Sequence, residues 1–239
     1  MEKIKDKKVL IIGATGTIGA AVTKLLVSSG AQVFVTSRHS DRLQSILNEH
    51  QIPTSRGFLL DLENEHQVQS ISSEVLATIG GAPDILINAA GIGIIKPIET
   101  LSVEDLKRSL QVNLIGPFQL IKFFIGAMKE RKTGLIINIP GVLGKTPMAG
   151  AMAYSASKYG LNGMMKSLRE ELKRTDIRIT QLFLGGVDTH FWDTIDLRVQ
   201  KDKMIVAEEA AKAIWFLCQQ PISGVVSEMV IQPFNHQAI

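Results

Sequence analysis

Val9-Leu-Ile-Ile12 followed by Gly13-Ala-Thr-Gly16-Thr-Ile-Gly19 is the stretch that decides the fold. A short continuous apolar run marks a strand buried on both faces. The turn after it is rich in glycine. Behind the turn, Ala20-Ala-Val-Thr-Lys-Leu-Leu-Val27 has helical periodicity and stops at Ser29-Gly30. Strand, glycine turn and helix in that order make a phosphate cradle. Glycines let backbone approach a pyrophosphate, and the helix N-terminus offers free N–H groups and the positive end of its dipole. A glycine pattern alone also serves as a tight turn without ligand; the flanking strand and helix are what point to a dinucleotide. Gly13, Thr15, Gly16, Thr17, Ile18 and Gly19 are the candidate contacts.

Downstream, strand and helix alternate. Apolar runs at 31–36, 57–60, 84–88, 135–139, 177–184 and 229–232 read as strands, and 41–49, 64–79, 102–128, 153–172 and 207–219 as helices. Ser102 caps the third of these helices, with Asp105 completing the pattern, and Pro117 should bend it or loosen one turn. Such alternation gives an α/β doubly wound parallel sheet, here one unit over 1–239. Ligands of such sheets bind beyond the carboxyl ends of the strands, which makes the loops after strands one, four, five and six the places to search.

Composition narrows the function. Of 239 residues, 45% are hydrophobic, enough for a buried core, and the net charge of +3 is scattered along the chain. Scattered charge argues against nucleic acid as the partner. The single cysteine, Cys218, excludes an intrachain disulfide, and His39, His50, His66, His190 and His236 have no metal-ligand spacing, so no metal is expected. The apolar run at Val9 breaks too early for a signal peptide or membrane span, which reads as cytoplasmic.

Four constellations carry chemistry. The second strand ends in Thr36-Ser37-Arg38, without the carboxylate that would bind a ribose diol; the Arg38 fork suits a 2′-phosphate, favouring NADP(H) over NAD(H). Arg38 read alone is equally a solvated surface residue. Asp61-Leu62 after strand three faces the adenine position, though an aspartate there also caps turns. Asn88-Ala89-Ala90-Gly91 after strand four is small enough to admit the adenosine ribose. Finally, Tyr154-Ser-Ala-Ser-Lys158 places a phenol and an amine on one helix face. An ammonium beside a phenol lowers its pKa, so the pair can give a proton to a carbonyl or take one from an alcohol. On an arbitrary helix the same spacing is a surface aromatic beside a solvated lysine.

With these pieces in order, plus Asn113 and Gly185-Gly-Val187-Asp-Thr189, the chain resembles the short-chain dehydrogenase/reductase family over nearly its whole length, and within it the 3-oxoacyl-carrier-protein reductases. The resemblance implies a Rossmann-type domain with strand order 3-2-1-4-5-6-7. It implies hydride transfer between NAD(P)(H) and a carbonyl or alcohol, with Tyr154 as proton donor and Lys158 lowering its pKa and binding the nicotinamide ribose. Asn113 would hold a water linked to Lys158, and Val187 and Thr189 would contact the nicotinamide. It also implies dimers or tetramers through the helices bearing Tyr154 and Ala207.

The sequence departs from the family pattern at three places. Thr17 replaces the middle glycine of the turn, with Gly16 one residue earlier, shifting the tightest turn. Gly185 replaces a proline, loosening that turn. The family's catalytic serine falls on Gly141, in Asn138-Ile-Pro140-Gly141. A backbone N–H, Thr146 or Ser155 could substitute, or the substrate could bring its own activation. Failing those, the protein is an NADP(H)-binding sensor with little catalysis. An NAD-linked dehydrogenase is disfavoured by Ser37. The substrate wall is expected from Ile92, Ile94, Ile95, Gly141, Val142, Leu143, Met148, Phe191 and Trp192, an apolar surface suited to a small hydrophobic ketone, quinone or 3-oxoacyl group. His190 is a candidate for substrate orientation, and 190–203 for a mobile lid.

Overall fold

The structure is a computed structural model and describes residues 3–221 and 223–234; His236 lies outside them. Seven strands, β1 (Lys8–Ile12), β2 (Gln32–Ser37), β3 (Gly57–Leu59), β4 (Ile85–Asn88), β5 (Thr133–Asn138), β6 (Asp176–Leu184) and β7 (Glu228–Ile231), form one sheet in the order 3-2-1-4-5-6-7. Every pairing is parallel. The crossovers are helical: α1 (Thr17–Ser28), α2 (Ser40–Glu49), α3 (Glu65–Ile79), α4 (Val103–Leu110), α5 (Gly116–Arg131), α6 (Met152–Leu172) and α7 (Ala207–Leu217).

Alternation along each strand sorts the core into two layers. Val9 and Ile11 join Val22, Leu26, Ile46 and Ile214 of α1, α2 and α7. Leu10 and Ile12 join Val75, Phe124, Leu161 and Met165 of α3, α5 and α6. Both faces of β1 are thereby covered, as its uninterrupted apolar run requires.

Register positions the site. Ile12 pairs with Asn88, and Asn88 with Asn138. β1, β4 and β5 therefore end level, which sets Gly13, Ala89 and Ile139 on one rim. The chain leaves β1 for β2 and β3 on one side and returns to β4 on the other, so the crevice lies above β1.

The helix after Ser102 carries the expected irregularity. Ser102 Oγ accepts from the Asp105 N–H at 3.0 Å, and Asp105 Oδ2 from the Ser102 N–H at 3.1 Å. Between α4 and α5 a π turn spans Gln111–Ile115. Pro117 sits in the first turn of α5. It has no N–H for the carbonyl four residues back, that of Asn113. The loosened turn thus precedes the proline and contains Asn113. The run 103–131 is long and apolar enough by composition to cross a bilayer, but Leu120, Ile121, Phe124 and Met128 are buried in the core.

In the glycine turn, Gly13 has φ of 79°, while Gly16 has an ordinary φ of −73°. The tight position therefore stays at Gly13 and does not move to Gly16, and Thr17 simply begins α1. A Cβ on Gly19 would lie 2.2 Å from the Gly13 carbonyl oxygen. Both contacting groups are backbone, so Gly19→Ala should destabilise by about 1–3 kcal/mol. Thermal denaturation should show the midpoint falling by several degrees; an unchanged midpoint would mean that the turn yields freely.

Candidate active site

A groove of about 200 Å³ opens above β1 on the side of β2 and β3, the side expected to take adenosine. Gly13, Thr15, Gly16, Ser37, Arg38, Asp61, Leu62, Ala89 and Gly91 all line it. Ser37 Oγ lies 2.8 Å from Thr15 Oγ1 and accepts from the His39 N–H at 3.1 Å, so the residue that replaces a carboxylate is locked inward. Arg38 is exposed, with its Nε donating to His39 Nε2 at 3.1 Å. Asp61 Oδ1 accepts from the Glu63 N–H at 3.0 Å while also lining the groove, so capping the turn does not take it out of the groove. Asn88 does not line it. Its side chain lies behind the rim and donates to Asn138 Oδ1 at 3.2 Å, tying β4 to β5. Sequence reasoning missed Arg42 of α2, which lines this groove and the next. Arg38 precedes α2, so no helical spacing in the sequence marked the pair.

The groove continues for about 240 Å³ past Thr17, Ile18 and Gly19 to Tyr154, Lys158, Thr189 and His190. The two sections share Thr15, Gly16, Ala89, Ala90 and Gly91. A Cβ on Gly91 would stand 3.1 Å from Asn113 Oδ1 and 3.3 Å from Lys158 Nζ, so glycine keeps the rim flat beside the amine. A continuous trough with basic side chains at one end, a bare backbone rim and a phenol at the other fits an extended dinucleotide.

Tyr154 and Lys158 do share one face of α6, as their spacing predicts. Lys158 is buried, and its Nζ donates to the Ile139 carbonyl at 3.2 Å and lies 5.6 Å from the Tyr154 ring centroid. The expected lowering of the phenol pKa is corrected here. Burial pushes Tyr154 up, and burial pulls Lys158 down to about 8. Loss of hydration disfavours each charged form.

Asn113 is held by four partners. Its Oδ1 accepts from the Ile92 N–H at 2.9 Å. Its Nδ2 donates to the Ile92 carbonyl, to Ser157 Oγ at 3.0 Å and to Ser109 Oγ at 3.4 Å. Ser157 Oγ in turn donates to the Tyr154 carbonyl at 2.7 Å. This buried cluster fastens the π turn to α6 at the residue bearing the phenol. Ser109 and Ser157 were not recognisable from sequence, because their pairing spans separate helices.

Beyond Tyr154 lies an apolar cavity of about 130 Å³, lined by Ile95, Gly141, Val142, Leu143, Val187, Thr189, Phe191 and Trp192 among others. No charged side chain among the described residues lines it. Met148 does not reach it; it packs on the cluster of Leu143, Ala151 and Ile195. Ile92 lines the adenosine end instead, and Ile94 lines neither. Neither Thr146 nor Ser155 lines the cavity: Thr146 is exposed, and the Ser155 hydroxyl is enclosed without a partner. The segment 190–203 is ordered by 3₁₀ turns at His190–Thr194 and Lys201–Lys203, and Asp193 accepts from Lys201 Nζ at 2.6 Å and pairs with His190 Nδ1 at 2.9 Å.

Comparison with known proteins places this geometry. Residues 7–199 match the family model described as short chain dehydrogenase. The chain belongs to the short-chain dehydrogenase family. An uncharacterized oxidoreductase of Staphylococcus aureus strain MW2 is 27% identical over 98% of this chain and all of its own. A metagenomic short-chain oxidoreductase solved in complex with NADP is 30% identical, with a TM-score of 0.80 over 96% of this chain and 98% of its own. An alcohol dehydrogenase from the archaeon Thermococcus sibiricus, complexed with 5-hydroxy-NADP, is 25% identical, with a TM-score of 0.86 over 97% and 98% of the two chains. This protein is accordingly an NAD(P)-dependent oxidoreductase of that family.

Family membership makes Gly185 informative. A Cβ there would stand 2.7 Å from Pro233 Cδ, and the Gly185 N–H donates to the Ile231 carbonyl at 2.8 Å. The expected loosening is not found: the turn is packed and hydrogen-bonded, and glycine answers to Pro233 next to it.

Lys158 gives a pH prediction. Its folded pKa lies near 8, below the ordinary value of 10.5. The unfolded chain therefore binds more protons between pH 8 and 10.5, and stability from this residue rises with pH across that window. Below pH 8 the buried cation destabilises the fold by about 3 kcal/mol. Lys158→Met should raise the melting temperature at pH 7, with the gain shrinking above pH 8. A gain independent of pH would contradict this account.

Proposed function

We propose that this enzyme reduces an uncharged hydrophobic carbonyl compound of ketone, quinone or 3-oxoacyl type to an alcohol, using NADPH in preference to NADH, as one domain over 1–239. The observation that carries the reading is the junction of the trough with the apolar cavity at Tyr154, which lines both. A bound dihydronicotinamide would supply the hydride. Tyr154, kept protonated by its burial, gives its Oη proton to the substrate oxygen. Lys158, still mostly protonated at pH 7 with its pKa near 8, returns that proton and faces the ribose position across Gly91. Asn113 positions the α6 face and the water that serves Lys158. Thr189 Oγ1 accepts from the Phe191 N–H at 3.3 Å, which leaves its proton to donate to the carboxamide.

The NADPH preference rests on Arg38 and Arg42 at the adenosine end and on the neutral Ser37. Charge-assisted contacts of this kind contribute about 1.5–3 kcal/mol each. Arg38→Ala and Arg42→Ala should each raise the Kd for NADPH at least tenfold and leave that for NADH nearly unchanged. Equal losses for both cofactors would remove the 2′-phosphate assignment. Exposed Met152 and Tyr159 on α6 and Phe216 on α7 support a homodimer or homotetramer through these helices.

A second reading has a specific observation behind it. Gly141 has φ of 71° and ψ of 166°, a region held essentially by glycine, and by spacing from Tyr154 it is the residue we read at the family's catalytic serine. Loss of one such donor costs about 10²–10³ in rate. An NADP(H)-binding sensor would tolerate that loss, whereas the retained Tyr154, Lys158 and Asn113 favour catalysis. Tyr154→Phe decides between them. With ketones, quinones and acyl thioesters as substrates, NADPH oxidation should fall at least about 10²-fold, with NADPH affinity retained. Wild-type protein that binds NADPH and turns over nothing in this panel would favour the sensor.

A further inference from the structure

Phe191 is the side chain common to the apolar cavity and the phosphate-side trough, together with Tyr154 itself, Ile18, Ile139 and Thr189. Its ring stands edge-on to Tyr154, with centroids 5.6 Å apart, and edge-on to Trp192 at 5.1 Å. What fixes it there is on the opposite wall. A Cβ on Gly93 would lie 2.3 Å from Phe191 Cζ, 2.5 Å from Cε2 and 3.0 Å from Ile195 Cδ1. The ring therefore occupies the volume that a side chain at 93 would need. The segment bearing Phe191 is closed at its base by the Val187–Ile205 bridge and by Trp192 Nε1 donating to the Val187 carbonyl at 2.9 Å. Within that segment the Phe191 ring is seated on Gly93, beside the buried Ile195.

The geometry points to Phe191 as the residue that sets the size of the substrate, with Gly93 as its seat. The ring closes the cavity toward the β4 loop and stands against the phenol. A substrate group larger than the space under Phe191 must lift the ring from Gly93. The assignment rests on the reading of this cavity as the carbonyl site.

The test is a double-mutant cycle with two readouts. In a Trp215→Phe background, Trp192 is the single tryptophan, and acrylamide quenching reports its exposure without any turnover. Gly93→Ala replaces no positive-φ glycine, and its Cβ meets the far end of a side chain, so the fold should survive while the ring leaves. Quenching of Trp192 should rise several-fold. NADPH-dependent reduction of 2,3-pentanedione and of the bulkier 1-phenylpropane-1,2-dione is then compared. Phe191→Ala should move the ratio of their kcat/KM values toward the bulkier diketone by about tenfold or more, the scale of a filled or emptied pocket. Gly93→Ala should move it the same way, and should add nothing when Phe191 is already alanine. A ratio unmoved by Phe191→Ala, or a Gly93→Ala effect that persists without the ring, would overturn the assignment alone. Wild-type silence toward both diketones and the whole panel of ketones, quinones and acyl thioesters would remove the reductase reading, while Trp192 quenching unmoved by Gly93→Ala would overturn the seat by itself.

Discussion

Burying an amine beside a phenol is the constraint around which this structure is arranged. Lys158 is only 3% exposed, and a buried ammonium is tolerated only where its donors find acceptors. One acceptor is the Ile139 carbonyl at the carboxyl end of β5, which faces the amine because β4 and β5 end level. Gly91, at the end of β4, leaves the amine room. The Asn113 and Ser157 cluster fixes the helix from behind. Sheet register, rim glycine and π turn are thus three answers to one requirement: keep a buried lysine close to a protonated tyrosine where a dinucleotide passes.

Much of the fold was legible because its signals are local. Apolar runs, the glycine turn, the Ser102 cap and the Tyr154 spacing each depend on residues near in sequence, and each became the expected element. The trough was legible too, since strand ends and loop order determine which loops meet. The failures have one physical character. The phenol pKa was misjudged because spacing reveals a neighbour and not the loss of water around both groups. Met148 and Ile94 were placed on the wall because apolar residues beside a loop carry no mark of the direction they face. Asn88 was taken for a ligand contact when its position behind the rim serves the β4–β5 junction. Arg42 and Gly93 were passed over because their partners lie on other segments.

Gly185 and Gly141 show how differently two departures from a family pattern can be built. At Gly185 the backbone is ordinary and the constraint is steric, imposed by Pro233 from the end of β7. At Gly141 space is available: a Cβ would stand 3.6 Å from the Leu184 carbonyl and 3.8 Å from the Tyr154 hydroxyl. The constraint there is torsional. Any L-residue at φ of 71° is strained, so a side chain introduced there requires the Pro140-Gly141 backbone to turn as well. The open space beside the phenol and a backbone shaped for glycine belong together, because the space could not be filled by a single substitution without that turn.

That coupling bears on how the cavity works. With a positive φ at Gly141, the loop runs into the turn at Val142–Gly144, which Asn162 holds by donating from Nδ2 to the Gly144 carbonyl at 3.0 Å. Lys145 then pairs with Glu228 and covers the Phe183 ring at 4.1 Å, fastening the loop to β6 and β7. One wall of the cavity is therefore fixed to the sheet by side chains that never enter it. The facing wall, with Phe191 and Trp192, hangs from the Val187–Ile205 bridge and rests on Gly93. A wall tied to the sheet opposite one seated on Gly93 would let the cavity adapt on one side; on the proposed reading, a substrate would be positioned against Val142, Leu143 and Tyr154 and accommodated against Phe191.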